Sequence, residues 1–208
     1  MLFQLDRDPH VKGQYLRKKR AFEINPNVTM LVGCNGSGKS TLLNEIKEHC
    51  KTQHIPCLYF DNLTEDNRSD RFLLNSIEDM SYVMNLKMIA SEGEGIMMRI
   101  SEFSLKIGRF CKKYENADQI FLLFDSTGSG LSIDNIIHIK SLFNLVLDNK
   151  PQHQDIYILV STNEFEFCKD EQCFDVQQCK YRQFKSYITF RNFILKSRER
   201  RDAVDATK

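Results

Sequence analysis

Gly33-Cys34-Asn35-Gly36-Ser37-Gly38-Lys39-Ser40-Thr41 combines glycines, a lysine and paired hydroxyls at a spacing suited to grip a polyphosphate. Glycine lets a backbone curl until successive N–H groups face one anion, where a side chain would block approach. At this spacing Lys39 is expected to reach the β- and γ-phosphates and Ser40 to offer its hydroxyl to Mg²⁺. A helix opening at Ser40 would add amide donors and its positive dipole end. The stretch predicts a nucleoside-triphosphate site. Farther on, residues 120–124 form a continuous apolar run closed by Asp125, the pattern of a strand covered on both faces with an acid at its carboxyl end.

These residues need elements to hold them. Residues 28–32 read as a buried strand leading into the loop, and 40 to about 50 as a helix with Leu42, Leu43 and Ile46 on one face. A second buried strand is expected at 56–60. Phe72, Leu73, Ile77, Met80, Met84 and Met88 recur at helical spacing and predict a helix over much of 69–89, its methionines serving as core packing. Ile96, Ile100, Phe103, Ile107 and Phe110 predict another over 95–114. A helix at 133–148 and a strand at 156–160, ending at Ser161-Thr162-Asn163, complete the alternation. Short strands are expected at 1–5 and 21–24. Beyond Cys173 the pattern weakens: 180–184 and 187–190 read as aromatic-rich short strands, followed by a helix that frays after Arg198. Strands alternating with helices imply an α/β fold around a mostly parallel sheet, with the ligand at its carboxyl edge.

With 208 residues, 41% of them hydrophobic, the chain can bury one good core and is read as a single domain, 1–208. Its net charge of +1 gives no overall field for nucleic acid, and the basic runs at 12–20 and 196–201 read as solvated faces. The interleaved aromatic and basic residues near the C-terminus read as sheet packing in preference to a base-stacking surface. No apolar run has the length of a membrane span and the first residues lack a secretory layout, so a cytoplasmic protein without membrane partners is expected. Seven cysteines in that setting suggest free thiols. Cys168, Cys173 and Cys179 include no CxxC pair and no histidine, which argues against zinc. Cys34, inside the loop, reads as a tolerated small residue, with a thiol through which oxidation would reach nucleotide binding. The scattered His10, His54, His138 and His153 show no ligand spacing.

Ser91-Glu92-Gly93-Glu94 precedes the 95–114 helix, and Phe124-Asp125-Ser126-Thr127-Gly128-Ser129-Gly130-Leu131-Ser132 follows the apolar run. With the glycine loop, these stretches resemble the ABC-type P-loop ATPases over about 28–163, the first as signature sequence and Ser129-Gly130-Leu131-Ser132 as D-loop. The Ser-x-Gly-Glu form, and the short interval between the first helix and the signature, look like the compact heads of the soluble SMC/RecF-like branch, including phage and bacterial ATPases. The resemblance implies an ABC-ATPase-like head with a mostly parallel central sheet, a small helical signature subdomain at about 64–115 and a strand–helix extension at about 172–208.

It further implies ATP and Mg²⁺ as cofactors and an ATP-dependent homodimer. In that pairing each nucleotide lies on one loop while Ser91, Gly93 and Glu94 of the other subunit meet its γ-phosphate. Asp125 and Ser40 would hold the metal, with Asp61 or Asn62 sensing it. Two catalytic positions depart from the family pattern: Ser126 stands where a glutamate normally polarises water, and Asn163 where a histidine normally switches. A hydroxyl is no general base near neutral pH, and losing one costs about 10² to 10⁴ in rate. Asn163 can hydrogen-bond but carries no charge. The expectation is slow hydrolysis by a molecular switch, unless Asp134, Glu164 or a partner residue supplies the base. The alternative is a non-hydrolysing adaptor that recruits a partner protein. Tyr15 or Arg17 is the candidate adenine contact, and a role in DNA metabolism, phage biology or defence follows from family habit alone.

Overall fold

A computed structural model of the protein describes residues 1–4, 21–61, 92–125 and 131–206. Its elements in chain order are β1 (Leu2–Gln4), β2 (Ala21–Glu23), β3 (Asn27–Val32), α1 (Lys39–Thr52), β4 (Cys57–Asp61), α2 (Glu92–Lys113), β5 (Gln119–Asp125), α3 (Ile133–Asp148), β6 (Asp155–Ser161), α4 (Phe165–Cys168), β7 (Cys173–Asp175), β8 (Lys180–Arg182) and α5 (Tyr187–Asp205). The helix expected at 69–89 and the basic run at 12–20 lie outside the described residues.

The protein is α/β, with a mixed but mostly parallel sheet in the order β4-β5-β6-β3-β7-β8 and a separate antiparallel pair, β1-β2. Only β8, antiparallel to β7, departs from the common direction within that sheet. Strands covered on both faces read as near-continuous apolar runs, and β5 and β6 do so between their polar ends, with all but their first residues buried. The pleat then sends alternate side chains to two cores. Met30, Leu122, Phe124, Ile158 and Val160 meet Phe103 of α2, Phe143 of α3 and Phe193 of α5. Leu31, Phe121, Leu123 and Leu159 meet Leu42, Leu43 and Ile46 of α1, with Phe3 and Phe22 of the β1-β2 pair behind them. Rings stack within each layer: Phe60 on Phe124 at 5.0 Å and Phe121 on Tyr157 at 4.5 Å.

Two C-terminal expectations are corrected. Residues 187–190 open α5 instead of forming a strand, because Ser186 and Thr189 build a reciprocal capping box that satisfies the first-turn amides. The helix then continues past Arg198 to Asp205. A strand that the sequence left unassigned, β7, runs parallel to β3, pairing Leu31 with Phe174. Cys168 and Cys173 share one core, with Cys173 Sγ 3.6 Å from Cys168 O, whereas Cys179 faces the other, so the three thiols do not gather at one point. Among the described residues no helix is long and apolar enough to cross a membrane.

Candidate functional site

The parallel strands β3, β4, β5 and β6 end on one edge of the sheet, and each delivers a group there. β3 runs into Gly33, whose φ is +157° and whose Cβ, were there one, would collide with Ser37 Oγ and stand 2.9 Å from Ser37 Cβ. Gly38 closes the loop at φ +93° and caps α1 without a side-chain hydrogen bond, so no side chain at that cap occupies the first-turn amides. Only glycine adopts these conformations without strain. Between them the Ser37 amide donates to Cys34 O at 3.1 Å, closing a tight turn.

Lys39 lies at the centre, its residue surface 9% exposed. The ammonium Nζ donates to Gly33 O at 2.8 Å, Cys34 O at 3.2 Å and Asn163 Oδ1 at 2.9 Å. Burial pushes its pKa below the ordinary 10.5, offset in part by Cys34, Asp125 and Cys168. Asn163, just beyond β6, also donates through Nδ2 to Asn35 Oδ1, linking the strand end to the loop. Ser40 Oγ donates to Asp125 Oδ1 at 3.0 Å, which brings the hydroxyl and the carboxylate expected to share a metal into direct contact. Thr41 follows on the exposed side of α1.

Asp61 is the register partner of Asp125 across β4 and β5, so its backbone reaches the same edge. Gly93 and Glu94 fall in the first turn of α2. Ser91, Ser126, Asn62, Tyr15 and Arg17 lie outside the described residues. Asp134 occupies the first turn of α3, and the Glu164 amide donates to Thr162 Oγ1 at 3.0 Å. Cys34 is 1% exposed, so its thiol is shielded from reagents in this conformation.

Several contacts had no sequence signal. Tyr59 Oη donates to Asp125 Oδ2 at 3.2 Å, so both carboxylate oxygens are engaged. Alternation along β4 puts Tyr59 on the α1 side, where Lys47 Nζ lies 4.5 Å from its ring, but no spacing rule ties a tyrosine to an aspartate on the next strand. Ser197 and Arg201 of α5 touch the loop directly: Ser197 Oγ accepts from Cys34 N at 2.9 Å, and Arg201 Nη1 donates to Asn35 O at 2.7 Å.

The donor set suits an oxyanion: a buried ammonium, uncapped helix amides and the turn's own N–H groups. Ser37 Oγ, buried with no hydrogen-bond partner among the described residues, belongs to the same cradle. Ser40 and Asp125 supply the hard oxygen ligands that magnesium favours. No protein-family model matches the chain, and a comparison with curated proteins finds no match.

Proposed function

We propose that the protein is a P-loop nucleoside triphosphatase of ABC type, similar to the SMC/RecF-like heads, that binds Mg-ATP, pairs with a second copy and hydrolyses the nucleotide slowly. The observation that carries this reading is the convergence of Lys39, Ser40 and Asp125 at the carboxyl edge, with Lys39 held by the loop's own carbonyls.

The chain's own groups suffice for binding. The Lys39 ammonium now rests on neutral acceptors, and phosphate oxygens would give it charge-assisted bonds roughly twice as strong. Loop amides and the first turn of α1 add donors that cost no reorganisation. Ser40 and Asp125, with Asp61 beside them, would hold magnesium, which when bound neutralises charge between the β- and γ-phosphates. Asn163 orients a γ-phosphate or a water through its amide but takes no proton. Ser126 follows Asp125 in the sequence and offers no base, which makes turnover slow and favours the adaptor as the second reading.

Phosphate release from ATP by the purified protein decides between them. Slow turnover abolished by Lys39→Ala is expected. Tight ATP binding with no release would instead mark the adaptor, and transfer of phosphate to an acceptor other than water would mark a kinase.

A further inference from the structure

Consecutive residues of the loop are held by one helix, α5. Cys34 N donates to Ser197 Oγ at 2.9 Å, Asn35 O accepts from Arg201 Nη1 at 2.7 Å, and a Cβ on Gly36 would lie 3.4 Å from Arg201 Cδ. Neither side chain of α5 is loose. Ser197 is fully buried; its hydroxyl donates to Gln177 Oε1 at 2.9 Å, and Gln177 Nε2 donates back to Ser197 O at 3.1 Å. Gln177 is in turn anchored by Arg200 Nε at 3.0 Å and by its own amide on Asp175 Oδ1 at 3.1 Å. The other edge of the Arg201 fork donates to Asp202 Oδ1 through Nε at 2.9 Å and Nη2 at 2.6 Å, which aims Nη1 at the loop.

A trans peptide carries its C=O and N–H on opposite sides, and no described peptide bond is cis. Where Ser197 holds the Cys34 N–H, the Gly33 carbonyl of the same peptide faces the other way, and that carbonyl accepts from Lys39 Nζ at 2.8 Å. By the same rule, Arg201 holding the Asn35 carbonyl on the α5 side turns the Gly36 N–H away from α5. A cation on the carbonyl also polarises the peptide and strengthens that N–H as a donor.

We infer that α5 sets the peptide planes of the loop and that Arg201 is a positioning residue that aims the Gly36 amide at a bound phosphate. The inference rests on the reading of this loop as a phosphate site.

The test compares wild type, Arg201→Gln, Arg201→Lys and Arg198→Gln, the last removing an exposed charge from the same helix. Amide hydrogen exchange at Cys34 and Ser37 is read in the ligand-free protein, and Mg-ATP affinity is read by calorimetry. Arg201→Gln is expected to speed exchange at both amides and to weaken ATP about tenfold, the loss of one charge-assisted hydrogen bond. Arg201→Lys should recover part of both, and Arg198→Gln should match wild type in both. Unchanged exchange in Arg201→Gln, or equal losses in Arg198→Gln, would overturn the inference; so would faster exchange with unchanged ATP affinity, which would leave α5 a brace only. If folded wild type binds no ATP, the nucleotide reading fails, and the exchange data alone then decide whether Arg201 positions the loop.

Discussion

Lys39 carries its charge in a place that penalises charge. Its ammonium is surrounded by two loop carbonyls and the Asn163 amide oxygen, and burial lowers its pKa from the ordinary 10.5. A phosphate arriving beside it would favour the ammonium and raise that pKa again. Binding is then linked to proton uptake wherever ligand-free Lys39 has begun to deprotonate and the bound form has not. ATP affinity should therefore fall as pH rises, starting below 10.5, and calorimetry in buffers of differing ionisation enthalpy should show protons taken up there. Affinity that stays level beyond pH 10.5 would place the lysine outside the binding contact. Asp125 is prepared in a complementary way, with Ser40 on one oxygen and Tyr59 on the other fixing the orientation of its carboxylate.

At the scale of elements, the legible parts were those with one dominant signal. The glycine loop is readable because only glycine tolerates its backbone, and β5 and β6 because two-sided burial leaves an unbroken apolar run. Residues 187–190 misled because Tyr187, Ile188, Thr189 and Phe190 favour strands, whereas the Ser186–Thr189 capping box, a purely local hydrogen-bond exchange, decided for helix. Ser186→Ala should accordingly cost about 1 kcal/mol in chemical denaturation; a loss near zero would mean that packing of Phe190 and Phe193 alone fixes the helix start. Strand β7 was hidden for a different reason: it has three residues, too few to show a period, and exists because β3 offers it an edge. Ser197 and Arg201 looked like part of a solvated basic tail, since nothing in the sequence shows that α5 returns to the loop.

At the scale of the whole molecule, strand order does the assembling. Placing β6 between β3 and β5 puts Asn163 between the loop and Asp125, so a single edge gathers residues far apart along the chain. If the signature resemblance holds, that edge is half of a site: Mg-ATP should double the sedimenting mass, and Ser91→Trp should block the doubling while leaving ATP binding to the monomer intact. Loss of ATP binding in monomeric Ser91→Trp would put Ser91 in its own subunit's pocket. Beneath the pairing and the turnover lies one claim, that the Lys39 loop holds a magnesium nucleoside triphosphate. Calorimetric titration of the purified protein with Mg-ATP tests it most directly: the account predicts saturable binding by wild type that vanishes in a folded Lys39→Ala protein, and it is contradicted if folded wild type takes up no ATP or if Lys39→Ala binds as tightly.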